Sequence, residues 1–94
     1  MIVRRALAAD APGFGEVIDA AYAPYLHLGL PAVSEGIADD IRDHTVLVAE
    51  AEGRLLGGVV VILGNTAHIA NLAVHPDASG MGIGKTLMAA AMTA

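Results

Sequence analysis

Residues 72–88 read LAVHPDASGMGIGKTLM, and no other stretch limits the possible folds as tightly. An apolar run ends at a proline, a loop with alternating glycines follows, and a helical pattern begins. Gly80, Gly82 and Gly84 let the backbone approach a ligand closely and take positive φ where a turn needs it. A helix opening at such a loop aims several unpaired N–H groups, and the positive end of its dipole, at one point. Strand, glycine loop and helix in that order form an anion site, most often for phosphate.

The rest of the chain must supply a sheet for that strand and a core for that helix. Residues 2–6 read as a short first strand around Arg4 and Arg5. Asp10-Ala11-Pro12 then signals a helix start, with Asp10 as N-cap and proline in the first turn. Phe14, Val17, Ile18, Ala21 and Tyr22 recur at helical spacing, which predicts a helix over 11–23 ended by Pro24. Residues 25–33 contain Gly29 and Pro31 and read as a loop; Ser34 and Glu35 are placed to cap a second helix with Ile37 and Ile41 on one face. At Thr45 the period changes. Strands are expected over 45–51 and 54–63, joined by a Glu52-Gly53 turn. Gly64-Asn65 suggests a further tight hairpin into a strand over 67–75, and residues 85–94 form the final helix.

Ninety-four residues allow one small domain. Its apolar share of 55% comes mostly from Ala, Val, Leu and Ile, which suits an aliphatic β/α core. Zero cysteines exclude disulfides and thiol catalysis. A net charge of −5 argues against nucleic-acid binding, which needs a basic footprint, and weakly favours a cationic partner such as an amine. No apolar run approaches the ~20 residues needed to span a bilayer, so no membrane association is expected. The opening MIVRRALAAD lacks the pattern of a signal peptide, so a cytoplasmic location is expected.

The element order and the glycine segment together resemble the first part of the GCN5-related N-acetyltransferase (GNAT) superfamily. Family members carry V-x-P-x-x-(Arg/Gln)-G-x-G-aliphatic-(Gly/Ala) ahead of a helix with paired leucine-like residues. Val74, Pro76, Gly80, Gly82, Ile83, Gly84, Leu87 and Met88 match in place. The resemblance implies a single, partial acyltransferase domain over residues 1–94. The fold class it implies is a GNAT-like α/β fold with a mainly antiparallel sheet, C-terminally truncated: strand, two helices, three-stranded meander, helix.

It further implies transfer of an acetyl or other acyl group from acetyl-CoA to a primary amine, with no metal. The amides of Ser79, Gly80, Met81, Gly82, Ile83, Gly84 and Lys85, with Thr86 at the helix start, would cradle the pyrophosphate. Leu72, Ala73 and Val74 would offer backbone groups to pantetheine and to the thioester carbonyl, where a fixed N–H stabilises developing negative charge. Many members place a carboxylate six residues before the Val74 position. Here that residue is His68, whose imidazole suits removal of a proton from an ammonium.

The sequence departs from the family at three points. Ser79 stands where Arg or Gln is usual, Met81 replaces a commonly basic residue, and the family's later strand, helix and hairpin have no counterpart. A non-catalytic remnant that binds CoA, or only self-associates, is therefore the alternative reading. A mean hydropathy of +0.61 fits surface awaiting a partner, and a homodimer or larger assembly is expected through the 67–75 strand and the 85–94 helix. A P-loop reading of SGMGIGKT, with Lys85 on phosphates and Thr86 on Mg²⁺, is a further alternative. His27, His44, His68 and His75 lack metal-ligand spacing. Tyr22 and Tyr25 flank Pro24 where the family lines its acceptor site, and both also suit core packing. Asp39, Asp40 and Asp43 beside Arg42 read as a solvated face.

Overall fold

The computed structural model describes residues 1–24 and 36–93. Strand β1 (Ile2–Arg5) leads through a 3₁₀ turn (Ala8–Asp10) into helix α1 (Ala11–Tyr22), and α2 (Ile37–Asp43) follows. The meander β2 (Thr45–Ala51), β3 (Arg54–Ile62) and β4 (His68–Val74) comes next, then a further 3₁₀ turn (Pro76–Ala78) and α3 (Ile83–Met92). The four strands form one sheet in the order β1-β2-β3-β4, every pair antiparallel. That is the expected fold class, and it removes the P-loop alternative, whose strand–loop–helix unit belongs to a parallel sheet.

Alternation along the strands builds two cores, one on each face of the sheet. Phe14, Val17 and Ile18 of α1 and Ile37 of α2 pack with Val46, Val48, Val60 and Ala73. Ile83, Leu87 and Ala91 of α3 pack with Ala49, Val59 and Val61 on the other face. The central strand is thus covered on both sides, which is why its middle reads as a continuous apolar run. Gly57 and Gly58 divide that labour. A Cβ on Gly58 would stand 2.5 Å from the Phe14 ring, and one on Gly57 would stand 2.8 Å from the Ala73 carbonyl oxygen. Bare backbone at these positions is what lets α1 and β4 come so close.

The entry to α1 differs from the expected N-cap. Asp10 makes no side-chain bond to the first turn of α1. Its carboxylate instead accepts from the Leu7 N–H at 2.7 Å and takes two bonds from Arg4, at 2.7 and 3.0 Å. Arg4 also reaches Glu50 at 3.1 Å. A bidentate guanidinium outweighs a single backbone N–H as partner for a carboxylate, so Asp10 caps the preceding 3₁₀ turn and ties β1 to it. The same Arg4 bond, followed by the Leu7 N–H, holds the Asp10 carboxyl below its ordinary value against a desolvation cost.

Other boundaries also shift. The final helix starts at Ile83 rather than residue 85, because Gly82 adopts φ 75° and accepts the first helical bond from the Thr86 N–H at 3.1 Å. The hairpin expected at Gly64-Asn65 is a looser connection over residues 63–67. Neither residue has the positive φ that a two-residue I′ turn requires. By contrast Glu52 and Gly53 both have positive φ, 54° and 75°, and close the β2–β3 hairpin tightly. Ile37 is buried and Ile41 packs against the same core, as their shared face predicts. The expected loop over 25–33, the Ser34/Glu35 cap, His27 and Tyr25 lie outside the described residues.

Candidate acyl-CoA site

β4 carries the candidate site from one end to the other. Leu72 and Val74 pack toward the α3 side and Ala73 toward the α1 side, so the strand is held from both faces. Among the described residues its outer edge pairs with no other strand, which leaves a row of backbone donors and acceptors open to an extended ligand. After Val74 the ladder continues for one bond, from the His75 N–H to the Leu56 carbonyl at 2.8 Å. Pro76 then turns the chain. His75 closes this turn: its Nδ1 accepts from the Asp77 N–H at 3.1 Å, which assigns the ring proton to Nε2. His75 and Asp77 are thus turn residues, with Arg54 adding a 3.3 Å contact to Asp77.

The loop itself is exposed from Ser79 to Gly82. Gly80 and Gly82 take φ of 83° and 75°, and a Cβ on either would meet nothing within 4 Å. Glycine is needed here for conformation, since a side chain disfavours the left-handed region. Ile83 and Leu87, 2% and 0% exposed, anchor α3 on the sheet and so aim its N-terminus back at the loop. No side chain caps that end, so its first amides remain available to an anion. Lys85, the chain's single lysine, lies exposed in the first turn, and among the described residues no carboxylate pairs with it. Gly84 differs from the other two glycines: it is inside the helix, with space for a Cβ 3.8 Å from Val74 Cγ2. The Thr86 hydroxyl donates to the Gly82 carbonyl at 3.1 Å, a helical back-bond rather than a metal-facing pose. Met81 is 69% exposed and adds no charge.

His68 begins β4 and is exposed. From there to Val74 the strand runs roughly 20 Å, at about 3.3 Å per residue. A ligand that uses both the loop and His68 must therefore be long, with phosphate at one end and its reactive group at the other. The register of β4 matters here. Val60 pairs with Asn71 but Val61 pairs with Ile69, which leaves Ala70 unmatched. This bulge puts His68 and Asn71, three residues apart, on the same face of the strand; without it they would face opposite ways. That face is the one α1 covers, and there Tyr22 donates to Asn71 Oδ1 at 3.4 Å. Asn71 was not a sequence candidate, because nothing local in HIANLAV announces the bulge. A separate cleft of about 400 Å³ lies near Asp10, Glu50 and His75, but Arg4 already engages both carboxylates.

A strand edge that is open among the described residues, leading into an uncapped, glycine-opened helix, makes a candidate anion site with room beside it for an extended ligand. An acetyltransferase (GNAT) domain model matches residues 42–94, more than half of the chain, and the protein belongs to the GNAT acetyltransferase family. Solved structures agree on the fold. The PaiA N-acetyltransferase of Thermoplasma acidophilum, solved with coenzyme A, is 22% identical with a TM-score of 0.81 over 98% of this chain and 69% of its own. A GNAT acetyltransferase of Brucella melitensis in complex with acetyl-CoA is 23% identical, with a TM-score of 0.82 over 98% and 66%. An aminoglycoside acetyltransferase from an uncultured soil metagenomic sample, in complex with sisomicin, is 25% identical, with a TM-score of 0.70 over 98% and 67%. The chain thus spans about two thirds of the length of these structures. No curated protein matches it significantly in sequence.

Proposed function

We propose that the protein binds acetyl-CoA along β4 and the 79–86 loop and transfers the acetyl group to a primary amine. The observation that carries this reading is the loop: two left-handed glycines, Gly80 and Gly82, open an uncapped helix at the end of β4, whose outer edge pairs with no other strand among the described residues. Acetyl-CoA supplies the activated thioester. The amides of residues 79–85 and the Lys85 ammonium hold its pyrophosphate, and the edge of Leu72, Ala73 and Val74 pairs with the pantetheine arm. His68 takes the proton released as the amine nitrogen bonds to the acetyl carbon, while the departing thiolate recovers a proton from solvent. Support for an amine acceptor comes from the neighbour crystallised with the aminoglycoside sisomicin.

Calorimetry tests the donor site. Acetyl-CoA and CoA should bind, and binding should weaken strongly for a pantetheine fragment lacking the 3′-phospho-ADP part. His68→Ala should reduce turnover of a primary amine while leaving CoA affinity unchanged; an unaltered pH–rate profile would remove His68 from the mechanism. One observation favours the second reading, a CoA-binding domain without turnover: among the described residues none hydrogen-bonds the His68 imidazole, whereas catalytic histidines are normally oriented by a partner. Coenzyme binding with no turnover of any amine would select that reading.

The open edge of β4 carries exposed Ile69, and Met92 of α3 is 81% exposed beside it. We further propose that a second copy of the chain packs on this Ile69 and Met92 patch, leaving the 72–74 edge to the pantetheine arm. Light scattering at micromolar concentration should report at least a dimer, and Ile69→Lys should shift it to a monomer.

A further inference from the structure

We infer that Asn71 reads the acceptor amine and that Tyr22 is the positioning residue that sets the Asn71 amide for it; this rests on the acyl-transfer reading above. Three observations converge on the pair. The bulge at Ala70 turns Asn71 onto the α1 face together with His68. Asn71 is half-buried at the midpoint of β4, between the candidate base and the backbone of residues 72–74. Tyr22, the last residue of α1, reaches across to Asn71 Oδ1.

A phenol that donates to the amide decides which way the amide points, because only the oxygen accepts. A carbonyl oxygen has a second lone pair, so Asn71 Oδ1 accepts a further N–H while keeping its bond to Tyr22. The 3.4 Å separation is long for an O–H···O bond, and an incoming amine can contact both oxygens without breaking the pair. The chemistry also suits the reaction. A carboxylate in this position would stabilise the ammonium form and oppose its deprotonation. A neutral oxygen binds amine N–H groups without that penalty, leaving proton removal to His68. The acceptor class so defined is an unhindered primary amine that arrives on the α1 face.

The test titrates the full chain, with and without CoA, against a panel of small primary amines, and measures CoA affinity on the same samples. Tyr22→Phe keeps the ring in the core and should weaken amine binding about three- to tenfold, the size of one hydrogen bond, with CoA affinity unchanged. Asn71→Ala should weaken it further. Asn71→Asp should tighten amine binding and move the pH–rate profile upward, a change that a purely structural role would not produce. Loss of CoA affinity in parallel, or unchanged amine affinity in both Tyr22→Phe and Asn71→Ala, overturns the inference. So does a wild-type chain that binds CoA and takes up no amine. A chain that binds amines through Asn71 and fails to bind CoA would instead sink the acyl-transfer reading alone.

Discussion

Gly57 and Gly58 lie in the middle of β3, and Gly80 and Gly82 lie in the loop ahead of α3. The first pair has ordinary strand backbone and no room: any Cβ there meets the Phe14 ring or the Ala73 carbonyl. The second pair has all the room it needs and a backbone conformation that side chains disfavour. One pair is glycine because of its neighbours, the other because of itself. The difference separates stability from binding. Substitution in β3 should damage the fold, whereas substitution in the loop should leave the fold nearly intact and damage the anion site.

The largest expected effect is at Gly58. Overpacking a filled core costs about 1–3 kcal/mol and at times more, and the fully buried Phe14 ring has nowhere to retreat. Gly58→Val should therefore unfold the protein or lower its urea midpoint sharply, with Phe14→Leu in the same chain recovering part of the loss for Gly58→Ala. An unchanged midpoint in Gly58→Ala alone would break the comparison. Gly82→Val comes next. The left-handed region costs a side chain about 1–2 kcal/mol, a tolerable loss, but CoA binding should disappear by calorimetry as the loop reorganises and the close approach is blocked.

Gly84 sharpens the contrast, because it shares the loop motif without the positive φ. Gly84→Ala should raise the melting temperature, since alanine gains roughly 1 kcal/mol over glycine inside a helix, while CoA affinity falls. If stability fell instead, the Val74 contact would be tighter than an ordinary one. The smallest effect is expected at Asp10, which braces the turn leading into the helix that carries Phe14. Its folded-state value is depressed by Arg4, so its contribution is present above the ordinary carboxylate value and is lost as pH falls through the depressed one. Asp10→Asn should therefore melt below wild type at pH 7, and the gap should close below about pH 4.

Much of the candidate site was legible in the chain. Proline after an apolar strand, glycines at alternate positions and a helix pattern behind them located the loop and fixed its neighbours. The position of α1 was legible from Phe14, Val17 and Ile18, and the meander from its change of period. Asp10 shows how a correct signal can be redirected: an aspartate before Ala-Pro is a good N-cap by itself, but Arg4 on the neighbouring strand is a stronger partner. Asn71 shows the opposite failure. It sits in a plain apolar strand pattern, and only an unmatched Ala70 brings it beside His68.

The sequence by itself determined the features that depend on a residue and its immediate neighbours: strand and helix periods, the left-handed glycines, and the strand–loop–helix order of the candidate anion site. The tertiary structure alone decided the features that depend on distance between remote residues. Gly58 is forced by Phe14, the Asp10 carboxylate is claimed by Arg4, and His68 and Asn71 share a face through a register shift against β3. The physical reason is the range of the interaction. Backbone strain is paid within one residue and shows in its identity, while free space, hydrogen-bond competition and strand register exist only once distant segments are brought together.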